Sequence, residues 1–157
     1  MIHASNRALL GFVAGSLAVL TFHQAVVELL HLARLVPQAA YRVTPVMPFN
    51  VPLVVDLSFW GGLYGLLYGL VQPRLRGPAW LGGLALGLLA AAVGMLVVAP
   101  LKGHPVAWGW HAWPMLRSCL INGGWGLGVS LLYALLQPRP LVRDGLAAAA
   151  RTGIAST

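Results

Sequence analysis

Charge is what this chain of 157 residues has least of: Asp, Glu, Lys and Arg make up 8% of it, where a soluble domain carries roughly 25%. Hydrophobic residues make up 59%, and the mean hydropathy is +0.79. That balance excludes an ordinary soluble domain and predicts an integral membrane protein. The motifs of soluble-type enzyme sites are missing as well. There is no phosphate loop, dinucleotide fingerprint, nucleophile elbow or zincin pair, so no catalytic residue is expected. The single cysteine, Cys119, cannot form an internal disulfide and is read as a small packing residue. No H-x-x-x-H, C-x-x-C or C-x-x-C-H pattern occurs. No metal and no cofactor is therefore expected, the alternative being haem or metal on His23 and His31 with His104 or His111.

What charge there is has one dominant sign. Ten Lys and Arg against three Asp and Glu give a formal charge of +7. The cations are scattered singly or in pairs around apolar stretches, where they anchor helices at a lipid surface. With no basic cluster in a soluble domain, no nucleic-acid partner is expected.

The chain reads as four spans, at about 8–32, 53–71, 79–101 and 114–136, forming one transmembrane domain over 1–139. A basic, alanine-rich tail over 140–157 follows. The first apolar run is too long for a signal peptide and carries His23 and Glu28 in its second half, so it is read as a retained helix. The stretch 37–52 holds Pro37, Pro45, Pro48 and Pro52 and is expected to form a stiff connection across the surface, or a lid. Trp108, Trp110 and Trp113 in the loop before the fourth span suit an aromatic belt.

Glycines recur every four residues: Gly11 and Gly15, then Gly61, Gly65 and Gly69, then Gly83 and Gly87, then Gly124 and Gly128. Each set bares a strip of backbone along one helix face, where another helix can approach closely. The end of the second span, LLYGLVQPR over 66–74, closely matches the end of the fourth, LLYALLQPR over 131–139. The match predicts a duplicated helical hairpin with parallel repeats. The fold expected is all-α, a membrane four-helix bundle built from two tandem hairpins.

Arg7, Arg74, Arg76, Arg139, Arg143 and Arg151 fall on one side of such a bundle, while Arg34, Arg42 and Lys102 fall on the other, with Arg117 just inside the fourth helix. The positive-inside rule then places both termini in the cytoplasm of a bacterial inner membrane. The opposite half collects the polar residues. Gln24, Glu28 and His31 share a helix face with His23, and the topology adds Asp56, Lys102, His104, His111, Arg117 and Asn122. A polar pocket is expected there, with Glu28–Arg117 and Asp56–Lys102 as candidate ion pairs.

FHQ at 22–24, PFNVP at 48–52, FWGGLYG at 59–65, PLKGHP at 100–105 and NGGWGLG at 122–128 together resemble small, uncharacterised four-span bacterial inner-membrane proteins. That resemblance implies the fold and brings no activity. Small multidrug-resistance transporters also have four spans and a glutamate in the first helix. This chain is longer, carries the tandem repeat and shares little else with them. Two functions follow from the residues. One is a non-enzymatic structural or accessory subunit that packs by its glycine faces into a homo-oligomer or a larger membrane complex. The other is a proton-coupled transporter or channel in which Glu28 changes protonation, Arg117 or Lys102 tunes it, and the histidines relay protons.

Overall fold

The computed structural model describes residues 3–47 and 49–138; the expected tail over 140–157 lies outside the described residues. Four helices are long and apolar enough to cross a membrane: α1 (Ala4–Leu32), α2 (Leu53–Arg74), α3 (Ala79–Leu101) and α4 (Ala112–Leu136). Helix α1 begins four residues, and α4 two residues, ahead of the sequence expectation. The proline-rich connection contains one small element that the sequence reading did not anticipate, a hairpin of β1 (Pro45–Val46) and β2 (Val51–Pro52), paired antiparallel and leading straight into α2.

Helices α1 and α2 meet backbone to backbone. A Cβ added at Gly11 would strike the Gly65 carbonyl, one at Gly15 the Gly61 carbonyl, and one at Gly69 the Arg7 carbonyl. Side-chain-free strips on both helices let the axes close in, and the pairs run antiparallel over three turns. Ser16 Oγ adds a hydrogen bond to the Ser58 carbonyl at 3.0 Å. Helices α3 and α4 close the same way, Gly83 against Gly126 and Gly87 against Asn122 and Gly123.

Helix α4 joins the two hairpins. Its Gly124 and Gly128 form hollows that take side chains of α1: Val26 sits over Gly124 and the Phe22 ring over Gly128. The stretch NGGWGLG thus serves two neighbours, with Gly123 and Gly126 turned to α3. Trp125, buried between them, donates from Nε1 to the Gly15 carbonyl at 3.0 Å and meets Tyr64 edge-on. Tyr133 donates to the Gly69 carbonyl at 3.3 Å and packs edge-on against Tyr68, whose own hydroxyl reaches the Ala79 carbonyl. Around these rings Ala14, Ala18, Val19, Leu86 and Val129 complete the core. Consecutive helices α2 and α3 touch little.

Both odd-numbered helices contain one π turn, Val19–His23 in α1 and Gly94–Val98 in α3. The second has a local cause. Pro100 lacks the N–H that the Leu96 carbonyl would accept, and its ring crowds that carbonyl. In the first, the Leu20 carbonyl takes the Tyr41 hydroxyl at 2.7 Å. Both helices also end alike. Leu35 N–H bonds the Leu30 carbonyl and Arg34 N–H the His31 carbonyl; His104 N–H bonds the Ala99 carbonyl and Gly103 N–H the Pro100 carbonyl. This is the paired 6→1 and 5→2 cap that needs a left-handed residue, supplied by Gly103 at φ 78° and by Arg34 at φ 59°.

Gly65→Ala is expected to part α1 from α2 and lower stability by about 1–3 kcal/mol, read as a fall in the thermal midpoint of the purified protein in detergent. Gly94, whose Cβ would meet nothing within 4 Å, is the control, and Gly94→Ala should leave the midpoint unchanged or slightly raised. At the helix caps, Gly103→Ala should cost about 1 kcal/mol and Arg34→Gly should gain a similar amount. Equal effects at both caps would contradict the left-handed geometry.

Candidate functional site

The polar stripe of α1 is covered by the chain that immediately follows it. After the Arg34 cap the backbone doubles back and descends along the helix. His31 Nδ1 lies 3.2 Å from the Val36 carbonyl, Glu28 Oε2 accepts the Ala40 N–H at 2.9 Å, and Gln24 Oε1 accepts the Tyr41 N–H at 2.8 Å. The Tyr41 hydroxyl then reaches Leu20 of the π turn. Residues 36–41 form a strap pinned at four levels. Each polar residue of the i, i+4, i+7 pattern holds one point of it.

Proton positions follow from these partners. With Oε1 committed to Tyr41, Gln24 presents Nε2 to His23 Nδ1 at 3.3 Å, so that ring nitrogen accepts. His31 faces a carbonyl and must carry its proton on Nδ1. Gln24 is only 4% exposed, and both its oxygen and its nitrogen have a partner in this arrangement.

The other residues expected in a shared pocket are dispersed. Among the described residues neither Glu28–Arg117 nor Asp56–Lys102 forms an ion pair. The Ala40 N–H of the strap meets Glu28 where Arg117 was expected, and Arg117 stays half-buried in α4. Asp56 lies in the first turn of α2, where the positive end of the helix favours a carboxylate. Lys102 caps the C-terminus of α3, the end that favours a cation. Asn122 Nδ2 donates to the Ser118 carbonyl at 2.9 Å, one turn back in its own helix. His104 packs against Trp108 with ring centres 5.1 Å apart, and His111 is exposed. Among the described residues no group of three His, Cys, Asp or Glu is placed to hold a metal ion.

Two features of this end escaped the sequence. One is Tyr41, whose backbone and hydroxyl both anchor the strap; backbone donors have no spacing rule to reveal them. The other is the turn Ala107–Trp110, in which four successive residues have positive φ, from 48° to 68°. Three of them carry side chains, a conformation that costs roughly 1–2 kcal/mol per residue. The turn buries Ala107 and sets Trp108 against His104. A shallow cleft of about 330 Å³ opens beside the strap, lined by His31, Arg34, Leu35, Val36 and Pro37.

Comparison with known protein families, with curated proteins and with solved structures gave no match. The reading of this site rests on its own geometry.

Glu28→Ala is expected to release the middle of the strap. Loss of a hydrogen bond to a charged acceptor, worth about 1.5–3 kcal/mol, should speed amide exchange at Ala40 about ten- to a hundredfold. Glu28→Gln keeps an acceptor oxygen and should change that rate far less.

Proposed function

We propose that this chain is a multi-pass integral membrane protein without catalytic activity, a structural or accessory subunit in which the polar stripe of α1 fixes the shape of one end. The observation that carries this reading is the strap. Glu28, the carboxylate that a transporter would have to load and unload, has its Oε2 engaged by the Ala40 N–H, flanked by pinned contacts at Gln24 and His31.

The glycine strips bear on how such a subunit would assemble. Each is occupied within the chain: Gly11 and Gly15 by Gly61, Gly65 and Gly69; Gly83 and Gly87 by α4; Gly124 and Gly128 by Phe22 and Val26. A homo-oligomer or a larger membrane partner would therefore be met through the aliphatic outer faces, where Leu67, Leu88 and Leu131 are exposed. A bacterial inner-membrane location with cytoplasmic termini draws on the six arginines that the sequence assigns to one side, Arg7, Arg74, Arg76, Arg139, Arg143 and Arg151, against Arg34, Arg42 and Lys102 on the other. The likeness to small four-span inner-membrane proteins belongs to the same proposal.

Duplication of the hairpin is part of the reading too. It draws on the LLYGLVQPR and LLYALLQPR matches, on glycine closure in both hairpins, and on the π turn and matching cap in α1 and α3. The packing has since diverged, since α1 lies along α4 while α2 and α3 touch little.

A proton-coupled carrier or small channel built on Glu28 is the second reading, favoured by the open cleft beside His31, one turn from Glu28. One pair of measurements separates the two. Extraction in mild detergent should yield a stable homo-oligomer or a stoichiometric complex, and liposomes with an internal pH dye should show no proton flux above protein-free vesicles. Proton flux that Glu28→Gln abolishes, with the fold intact, would establish the carrier and overturn the structural reading.

A further inference from the structure

The chain from Val43 to Val55 is uncharged, and it exposes two large apolar side chains on the turn of its hairpin. Met47 and Phe49, on the turn between β1 and β2, are 79% and 81% exposed. Side chains of this kind are poor company for water, and their height relative to the helices decides what surrounds them.

That height follows from the glycine register. The pairs Gly11–Gly65 and Gly15–Gly61 run antiparallel, and continuing them one way brings Leu53, the first residue of α2, beside His23. The strap agrees independently. Arg42, whose carbonyl takes the Val54 N–H, directly follows Tyr41, whose N–H is held by Gln24. Helix α1 then continues past the start of α2 by the nine residues Gln24–Leu32, about 13 Å of rise. The hairpin cannot climb out of this step. Phe49 lies four residues from Leu53, and even a fully extended chain of that length reaches only about 14 Å. Its tip therefore stands no higher than the last turn of α1, whose flank carries Leu29 and Leu32, 65% and 70% exposed.

We propose that the β1–β2 tip lies in the bilayer, at the boundary between headgroups and acyl chains, with Met47 and Phe49 in contact with lipid. This rests on the membrane-spanning reading given above. The boundary suits the backbone as well as the side chains. Among the described residues of the turn, Met47, Phe49 and Asn50 make no backbone hydrogen bond beyond the two-residue ladder, a state that hydrocarbon does not tolerate and headgroups with their water do. The hairpin fills the step left by the shorter helix.

The single cysteine makes the test direct. In a Cys119→Ser background, an environment-sensitive dye is placed at Phe49→Cys or, separately, at Met47→Cys, with reference labels at Leu88→Cys in the middle of α3 and at Ala33→Cys, exposed just past the last turn of α1. Each full-length protein is reconstituted in vesicles of phosphatidylcholine and phosphatidylglycerol. Dyes at positions 47 and 49 should emit at shorter wavelength than the dye at 33, with quenching by a shallow lipid-borne spin label several-fold stronger than by iodide. Iodide quenching at 47 and 49 equal to that at 33, with Leu88 still quenched only from the lipid, would overturn the proposal and leave the spans intact. Iodide access at Leu88 as well would overturn the membrane reading itself. Protection of 47 and 49 from both quenchers would mean that protein covers the tip, and would overturn lipid contact.

Discussion

Bare backbone against bare backbone, where Gly11 and Gly15 meet Gly61 and Gly65, is the constraint on which this end-to-end arrangement depends. Close approach without side chains permits one register between α1 and α2, because a slip of one residue would drive side chains into carbonyls. Once the register is set, the start of α2 is fixed well below the end of α1. The intervening chain must then come back down, and the polar stripe on α1 is what it comes down along. The strap, the hairpin and the step they fill are consequences of a few missing side chains.

The polar groups that tie elements together share a second regularity. Among the described residues, side-chain hydrogen bonds between separate segments end on backbone: Trp125 on Gly15, Tyr133 on Gly69, Tyr68 on Ala79, Ser16 on Ser58, and Gln24 and Glu28 on strap N–H groups. A helix carbonyl has a second lone pair to offer even when its helical bond is made. Fastening helices this way avoids a second buried side chain that would itself need satisfying. It also avoids a buried ion pair, whose desolvation often exceeds its attraction. Among the described residues, the carboxylates Glu28 and Asp56 take no part in an ion pair.

Much of this was legible in the residues. Long apolar runs marked all four helices, and four-residue glycine spacing marked faces where helices approach. Spacing names a face but not its occupant. Gly124 and Gly128 were recognisable as a strip, yet that they receive Phe22 and Val26, while their neighbours Gly123 and Gly126 receive α3, depends on two helices converging on one. Glu28 was recognisable as a group in need of a partner, and a cation was the partner that side-chain chemistry suggested. The donor is the N–H of Ala40, which every residue except proline possesses and which therefore leaves no mark on a sequence. The π turn in α1, whose Leu20 carbonyl is met by Tyr41 from 21 residues away, and the left-handed turn at Ala107–Trp110 are backbone states that no side-chain spacing announces.

The unequal lengths of α1 and α2 reach beyond the molecule. A helix of 29 residues, about 43 Å long, stands beside one whose regular part has 19 residues and measures about 28 Å. Were the helices to span a bilayer, its lipid would meet a tall flank and a low one, and hydrocarbon about 30 Å thick would match them unequally. Tilting or local thinning absorbs the difference at fractions of a kilocalorie per mole for each ångström. Under the membrane reading proposed above, a body of this profile would favour leaflets that are already thin or curved, and its distribution would follow the shape of the bilayer as well as the identity of its neighbours.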